Sequence, residues 1–143
     1  MNPLISGISS TSAALDAGRI RMELIYQNIA HASTTRGLDG KPYQRQQVVF
    51  ESALSQAGAN SGLGADLEGP KISRISTDGR PGRSVHLPGH PHADGNGMVV
   101  LPNVSVPEEM ADLVSASRAY EANLAVFKNA RQMALQTLSI GKR

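Results

Sequence analysis

Apolar residues recur every seven positions near the amino end of the chain. One row consists of Ile8, Leu15, Met22 and Ile29, and a companion row three or four residues away consists of Leu4, Thr11, Gly18, Ile25 and Ala32. A seven-residue repeat of apolar side chains is typical of a helix that packs lengthwise against another helix. We therefore predict a long amphipathic helix over residues 5–33, in which Gly18 is the weakest helix former.

A second long helix is predicted over residues 106–140, near the carboxyl end. Its apolar rows are Val106, Leu113, Tyr120, Phe127 and Ala134, then Met110, Leu124 and Leu138, then Val126, Met133 and Ile140. The residues SVPE at 105–108 have the form of a capping box, with serine at the cap and glutamate three residues later. The acidic residues Glu108, Glu109 and Asp112 lie at the positive end of the helix dipole, and Gly141 is a natural stop.

Between the two helices, residues 36–103 are rich in glycine and proline and contain short apolar runs. We predict strands over residues 43–52, 71–76, 84–87 and 98–101, separated by Asp-Gly and Pro-Gly turns, and a mobile loop over residues 54–69. The expected fold class is α+β, with the two helices packed as an antiparallel hairpin or coiled coil. Residues 1–35 and 104–143 are expected to form a helical polymerisation domain, and residues 36–103 a small, irregular β-rich insert.

The predicted helices have little to pack against inside one chain. Aromatic residues make up only 3% of the sequence, so the core is thin. Burying a Leu, Ile or Met side chain stabilises by about 1.5–3 kcal/mol, whereas ordering each residue's backbone costs about 1–2 kcal/mol. We therefore expect neighbouring subunits to cover part of the apolar rows.

Composition argues against several classes of function. The net charge is +2 and the charges are scattered, without a basic run, so we expect no nucleic-acid partner. Cysteine is absent, which excludes disulfides and cysteine zinc sites. The first ten residues do not read as a secretory signal, and no apolar run approaches the ~20 residues that cross a membrane. We expect no membrane insertion, and export, if it occurs, by a route without a cleaved signal peptide.

Three histidines offer the best alternative chemistry. His86, His90 and His92 follow one another closely, and His90-Pro91-His92 is a possible zinc or copper ligand pair. A calcium loop starting at Asp94 would need glutamate at its twelfth position, where this chain has Ser105, so we interpret residues 94–97 as a glycine-rich turn. We favour no metal and no cofactor, and keep a small metal-binding protein as the rival hypothesis.

No catalytic signature is present. The sequence contains no Gly-x-Ser-x-Gly elbow, no phosphate-binding loop with lysine and no His-Glu-x-x-His. The low aromatic content also argues against a deep apolar substrate pocket. We therefore expect a protein that is not an enzyme.

Four segments resemble the flagellar rod and hook axial proteins. QNIAHAST at 27–34 resembles their amino-terminal signature, which typically reads Asn-Leu/Ile-Ala-Asn-Ala-x-Thr. LDGKPYQRQ at 38–46 looks like the Asp-Gly-x-Pro-Tyr-Arg segment of the FlgC type of proximal rod protein, and PGHPHADGNG at 88–97 with LPNV at 101–104 resembles its central segment. Residues 109–123 resemble its carboxyl-terminal signature. The chain departs from the pattern at His31, where the family has asparagine, and residues 54–69 match no motif.

The resemblance implies a structural subunit of the bacterial flagellar basal-body rod. Such proteins are exported by the flagellar type III apparatus without signal-peptide cleavage, and they polymerise in the periplasm into a tube that transmits torque. Their terminal helices pair and line the tube, and the insert faces outward. The expected partners are further copies and other rod or axial proteins. Another short axial protein, such as a sister rod subunit, is the nearest alternative.

The residues expected to carry assembly lie on the helix rows. For Asn28, and likewise Asn123, a hydrogen bond across helices competes with a solvated surface position, and the motif favours the bond. Tyr120 and Phe127 are expected to pack between helices. The full set of expected subunit-interface residues is Ile8, Leu15, Met22, Ile25, Asn28, Ile29, Met110, Leu113, Tyr120, Asn123, Leu124, Phe127 and Leu138.

Overall fold

The computed structural model describes residues 3–37, 39–51 and 70–141. In chain order its elements are α1 (Pro3–Ala30), β1 (Gln46–Glu51), β2 (Lys71–Thr77), β3 (Arg83–His86), β4 (Met98–Leu101) and α2 (Val106–Ile140). Two long helices therefore flank a short β-rich middle, which confirms the predicted α+β class. The predicted mobile loop at 54–69 lies outside the described residues.

The two helices run antiparallel and approach each other through small residues. Ala17 of α1 and Ala116 of α2 are both buried. A Cβ atom added at Gly18 would lie 3.4 Å from Cδ2 of Tyr120, an ordinary van der Waals contact, so the tyrosine ring of α2 packs directly beside this glycine of α1. Small side chains at this level let the helices pack closely without a large apolar core.

The core of the described residues is correspondingly small. Its buried apolar members are Ala17, Leu24, Ile25, Val99 and Ala116. The predicted row Ile8–Leu15–Met22–Ile29 is only half-buried, because the deepest face of α1 passes through Ala17, Leu24 and Asn28 instead. Much of the apolar surface that the heptad pattern contributes is thus still in contact with solvent within one chain.

The insert consists of two separate antiparallel hairpins. β1 pairs with β2, with Val48 opposite Ile75 and Phe50 opposite Ile72, and the register shifts between Val49 and Phe50. β3 pairs with β4 from Arg83↔Leu101 to His86↔Met98. Since a two-stranded hairpin is at best marginally stable alone, each depends on packing elsewhere. For the first hairpin the support is α1, against which both β1 and β2 pack.

Several predicted boundaries differ from the structure. The helix α1 ends at Ala30, and residues 31–33 form a turn. The strand β1 begins at Gln46 rather than at residue 43, because the preceding backbone has other partners: Tyr43 N–H donates to the Thr34 carbonyl and Arg45 N–H to the Asn103 side chain. The other three strands lie within a residue of their predicted positions.

The capping box predicted at the start of α2 is wrong. Ser105 occupies the cap position with extended backbone, but its side chain makes no capping hydrogen bond. Pro107 lies in the first turn and has no N–H, which leaves fewer donors to cap. At the other end α2 stops before Gly141 as predicted, yet this glycine has φ −72° and does not use its left-handed freedom. Among the described residues, neither long helix is apolar enough to cross a membrane.

Two glycine-to-alanine substitutions should have opposite effects on stability. At Gly18 the added methyl group makes an ordinary contact with Tyr120, and the gain in helix propensity should raise the free energy of unfolding by up to about 1 kcal/mol. At Gly82 a Cβ would lie 2.1 Å from the Leu101 carbonyl oxygen, so the backbone must shift at a cost of about 1–3 kcal/mol. Urea unfolding of both variants checks this, and a change of the same sign in both would contradict the described packing.

Candidate functional site

A single amide side chain connects the two helices and the first strand. Asn28 is 1% exposed, and its Nδ2 donates to Glu109 Oε2 on α2 at 3.0 Å and to the Gln46 carbonyl on β1 at 2.9 Å. Its Oδ1 accepts from the Tyr43 hydroxyl and from the Gln46 N–H, both at 2.9 Å. Two donors and two acceptor lone pairs are the full capacity of an asparagine amide. The predicted bond across helices is therefore formed, and the solvated alternative is wrong for Asn28.

A buried carboxylate receives this amide. Glu109 is 0% exposed, and its other oxygen, Oε1, accepts from Nε of Arg45. Nη2 of the same guanidinium lies 3.2 Å from Oδ2 of Asp112. A buried charge is costly unless it is paired and hydrogen-bonded, and here both carboxylate oxygens have a donor. We call Asn28, Tyr43, Arg45, Gln46 and Glu109 the polar junction.

The tyrosine of the polar junction is covered by the histidine that departs from the family motif. The rings of His31 and Tyr43 stack with centroids 4.8 Å apart and planes inclined by 24°. His31 Nδ1 also lies 3.2 Å from Thr34 Oγ1. Burial raises the pKa of Tyr43 above its usual value, and the negative charge of Glu109 raises it further. The neutral hydroxyl that donates to Asn28 is thus the favoured form.

A second asparagine extends the network to the other end of the insert. Asn103 Oδ1 accepts from the Arg45 N–H at 2.7 Å, and its Nδ2 donates to the carbonyls of Asp78 and Arg80, both at 3.0 Å. The segment before β1, the turn after β2 and the approach to α2 are therefore tied together by one side chain. No buried side-chain N or O atom of the described residues lacks a hydrogen-bond partner.

Beside the polar junction lies an open cavity of about 320 Å³. Its lining includes Arg21, Asn28, Arg45 and Glu109 together with apolar side chains of α1 and β1. The junction groups that border it are already bonded to one another. The arrangement is suited to holding backbone segments in register, and the described residues offer no arrangement of nucleophile and base there.

The histidine loop shows the geometry of a turn. His90 Nδ1 accepts from the His92 N–H at 3.1 Å, and His92 Nδ1 lies 2.8 Å from Thr35 Oγ1. Asp94 Oδ1 accepts from the N–H groups of Asn96 and Met98, which confirms the interpretation as a glycine-rich turn. Over residues 3–37, 39–51 and 70–141, no group of three histidine or acidic side chains is placed to hold a metal ion.

The expected interface residues differ widely in exposure. Ile25 and Asn28 are buried within the chain. Met110 and Leu138 are 58% and 67% exposed. The remaining expected residues are half-buried: Ile8, Leu15, Met22, Ile29, Leu113, Tyr120, Asn123, Leu124 and Phe127. The helices therefore present a mixed surface on which apolar side chains are only partly covered.

Asn123 does not repeat what Asn28 does. It lines a cavity of about 210 Å³ between the helices, opposite Ala14, Ala17 and Gly18. These side chains carry no acceptor or donor, and no hydrogen bond of the Asn123 side chain is found within the part of the chain that the structure describes. The cross-helix bond predicted for Asn123 is therefore not formed inside the chain.

Apart from Asn28, no member of the network was predicted from the sequence. Glu109 was interpreted as a carboxylate that complements the helix dipole, and Arg45 and Asn103 drew attention only within the family motifs. The sequence did contain a signal for Glu109. This residue stands next to Met110, on a helix whose apolar face also contains Leu113 and Ala116. The side chain of Glu109 therefore begins close to the face of the helix that packs. The partner Arg45 is 64 positions earlier in the chain, and no local pattern links the two.

Removing the amide of the polar junction should destabilise the fold far more than removing the other helical asparagine. Asn28→Ala leaves Glu109, Tyr43 and Gln46 short of partners in a buried place, and we expect a loss of about 2–4 kcal/mol in the free energy of unfolding. Asn123→Ala is the matched control, with an expected change within about 0.5 kcal/mol. Urea unfolding followed by circular dichroism measures both, and equal losses would contradict the role of Asn28.

Tyr43 should make stability fall at high pH. Because the pKa of Tyr43 is raised on folding, its contribution is fully present below the unfolded value of about 10 and is lost as the pH rises through the folded value. Tyr43→Phe should cost about 1 kcal/mol at neutral pH through the lost bond to Asn28, and it should reduce the decline in stability above pH 10. Tyr26→Phe, at an exposed tyrosine outside the polar junction, is the control for the loss of a hydroxyl group. A decline above pH 10 that is as steep in Tyr43→Phe as in the original chain would refute the assignment.

Known proteins that are similar to this chain match it over nearly its whole length. A flagellar basal-body rod protein FlgC from Yersinia enterocolitica is 37% identical over 139 residues, covering 97% of this chain and 98% of the relative. The protein of the same name from Borreliella burgdorferi is 37% identical over 150 residues, covering 96% and 97%. That from Bacillus subtilis is 35% identical over 144 residues, covering 94% and 96%.

A family model agrees with these relatives over the carboxyl-terminal helix. The model described as flagellar basal body rod FlgEFG protein C-terminal matches residues 96–140, which comprise β4, the approach to α2 and α2 itself. The similarity to these relatives spans both helices and the insert and covers 94–97% of this chain. The chain therefore belongs to the FlgC family of flagellar basal-body rod proteins.

Proposed function

We propose that this chain is a structural subunit of the bacterial flagellar basal-body rod and polymerises through its terminal helices. The observation that supports this most strongly is the near full-length similarity to proteins named flagellar basal-body rod protein FlgC. The geometry is compatible with such a role: the polar junction holds one subunit together, and large apolar side chains are left on the helix surfaces.

The exposed apolar surface indicates which part of the chain makes the assembly contacts. Among the described residues, nine of the thirteen exposed large apolar side chains belong to the helices, and eight of those nine belong to α2. The nine are Tyr26 of α1 and Val106, Met110, Val114, Val126, Met133, Leu135, Leu138 and Ile140 of α2.

 We therefore assign assembly contacts to residues 1–35 and 104–143, and an outward position in the rod to the insert at 36–103.

Within that assignment, the contact surface includes the partly covered helix rows. The expected interface residues that are not buried are Ile8, Leu15, Met22, Ile29, Met110, Leu113, Tyr120, Asn123, Leu124, Phe127 and Leu138. Ile25 and Asn28 are buried, and they support the interface indirectly by holding the two helices and β1 in register. The partners we propose are further copies of this chain and other rod or axial proteins of the basal body.

The proposed route to the rod is export by the flagellar type III apparatus, without cleavage of a signal peptide, to a position in the periplasmic space. We propose a structural role without catalysis. The rival metal-binding hypothesis gains no support, because no three histidine or acidic side chains of the described residues are grouped so that they could hold a metal ion.

The proposal is tested in the source bacterium with a tagged copy of the chain. Hook–basal bodies isolated from these cells should contain it in a constant ratio to the other rod proteins, as measured by mass spectrometry. Basal bodies that lack the chain while cells swim normally would overturn the proposed function.

A pair of lysine substitutions tests which part of the chain assembles. Met110→Lys places a charge on the exposed surface of α2 and should abolish rod assembly and swimming in soft agar, because a desolvated unpaired charge is costly at an interface. Val100→Lys on β4 is the control: Val100 is 47% exposed, it lies in the insert, and swimming should persist. Circular dichroism of both purified variants verifies folding, and swimming by the Met110→Lys strain would refute the assignment.

A further inference from the structure

The turn between β3 and β4 contains the one asparagine of the sequence that precedes a glycine. Asn96 is followed by Gly97, whereas each of the other six asparagines is followed by a residue that carries a side chain. Because glycine has no Cβ, the main-chain nitrogen of Gly97 is the least shielded of the nitrogens that follow an asparagine. Asparagine is a thermolabile residue, and this nitrogen is the group with which its amide reacts.

The amide of Asn96 is also free to move. The side chain is exposed, and over residues 3–37, 39–51 and 70–141 no hydrogen bond of its amide group is found. By contrast, Asn28 uses its full bonding capacity, and both ends of the Asn103 amide are bonded. Asn129 is exposed as well, but it lies within α2, where the N–H of the next residue belongs to the hydrogen-bond ladder of the helix.

The backbone of the turn is held by bonds that open locally. The Gly97 N–H donates to the Asp94 carbonyl at 2.9 Å, and the Asn96 N–H donates to Asp94 Oδ1 at 2.9 Å. The Gly97 nitrogen turns toward the Asn96 side chain only after the first of these bonds has opened. Exposed turns open at a free energy well below that of global unfolding, so the rest of the chain stays folded.

We propose that Asn96 is a site of spontaneous deamidation in the folded chain. When the turn opens and the Gly97 N–H loses its proton to hydroxide, the nitrogen forms a bond to Cγ of Asn96. The bond from Cγ to Nδ2 breaks, the amide nitrogen gains a proton from water and leaves as ammonia, and a five-membered succinimide ring remains. Water is the further reactant, and no electrons are transferred.

Water then opens the ring at one of two carbons. Opening at Cγ of residue 96 breaks its bond to the Gly97 nitrogen and leaves an ordinary aspartate. Opening at the main-chain carbonyl carbon leaves an isoaspartate, in which the chain runs through the former side chain and is longer by one methylene group. Either product adds one negative charge to the turn.

Two aspartates that also precede glycine are held by their neighbours. Both carboxylate oxygens of Asp78 accept from Arg80, and these hydrogen bonds lower the pKa of Asp78. Oδ1 of Asp94 accepts from the N–H groups of Asn96 and Met98. An ionised carboxylate is a poor target for a nucleophile, so the amide of Asn96 is the reactive group of this region.

The isoaspartyl product should loosen the closed end of the second hairpin. A Cβ added at Gly97 would lie 3.0 Å from Cε1 of His86, and the Gly97 carbonyl accepts from the Leu87 N–H at 2.8 Å. An extra methylene group directly before Gly97 must displace one of these contacts. We therefore expect faster hydrogen exchange at the Leu87 amide in the isoaspartyl chain.

The test follows the purified full-length chain at mildly alkaline pH by peptide mass spectrometry. We expect the amide of Asn96 to be lost at least about tenfold faster than that of Asn129, because the turn opens more readily than the helix. An isoaspartyl methyltransferase supplied with labelled S-adenosylmethionine should label the peptide that contains residue 96. In Asn96→Gln, where the amide is one carbon further from the Gly97 nitrogen, the label on this peptide should be strongly reduced.

Two outcomes of this measurement would overturn the proposal. The first is loss of the amide at Asn96 that is no faster than at Asn129. The second is conversion of Asn96 to aspartate without isoaspartate, which would show direct hydrolysis of the amide instead of ring closure.

Low concentrations of urea separate local opening from unfolding, because the effect of urea scales with the surface that is exposed. A rate at Asn96 that stays constant below the unfolding transition supports reaction in the folded chain. A rate that rises in proportion to the unfolded fraction would overturn the proposal, since the reaction would then belong to the unfolded chain.

Discussion

The fold depends on one buried amide that satisfies four hydrogen bonds at once. Asn28 holds α2 through Glu109 and holds β1 through both backbone groups of Gln46. A polar group in this position is tolerated only with all its partners in place, so a shift of either helix by one residue would leave several buried groups unpaired. The amide therefore sets the register of the helical hairpin and of the insert together.

This constraint explains how a chain with so small an apolar core keeps a defined shape. Packing alone, with Ala17, Gly18 and Ala116 between the helices, discriminates weakly between neighbouring registers because small side chains interlock little. The polar junction supplies that discrimination. Large apolar side chains such as Met110 and Leu138 are then not needed inside the subunit and remain on its surface, where assembly can use them.

The regular elements could be predicted from the sequence because their signals are local. The seven-residue repeats gave both helices, and Val48–Phe50 and Met98–Leu101 gave strands at nearly the observed positions. The network could not be predicted, because Arg45 and Glu109 meet only after the chain has folded, and each alone resembles an ordinary surface charge. Asn28 was found through the motif, whereas Asn123, predicted in the same way, makes no such bond inside the chain, since only the fold shows that small apolar residues face it.

The most direct test of the account is a double-mutant cycle between Asn28 and Glu109. The free energy of unfolding is measured for the original chain, for Asn28→Ala, for Glu109→Ala and for the double variant. If the amide and the carboxylate act as one unit, the double variant should lose at least about 1 kcal/mol less than the sum of the single losses. Losses that add within about 0.5 kcal/mol would show that the two residues act independently, and would contradict the claim that their contact sets the register of the fold.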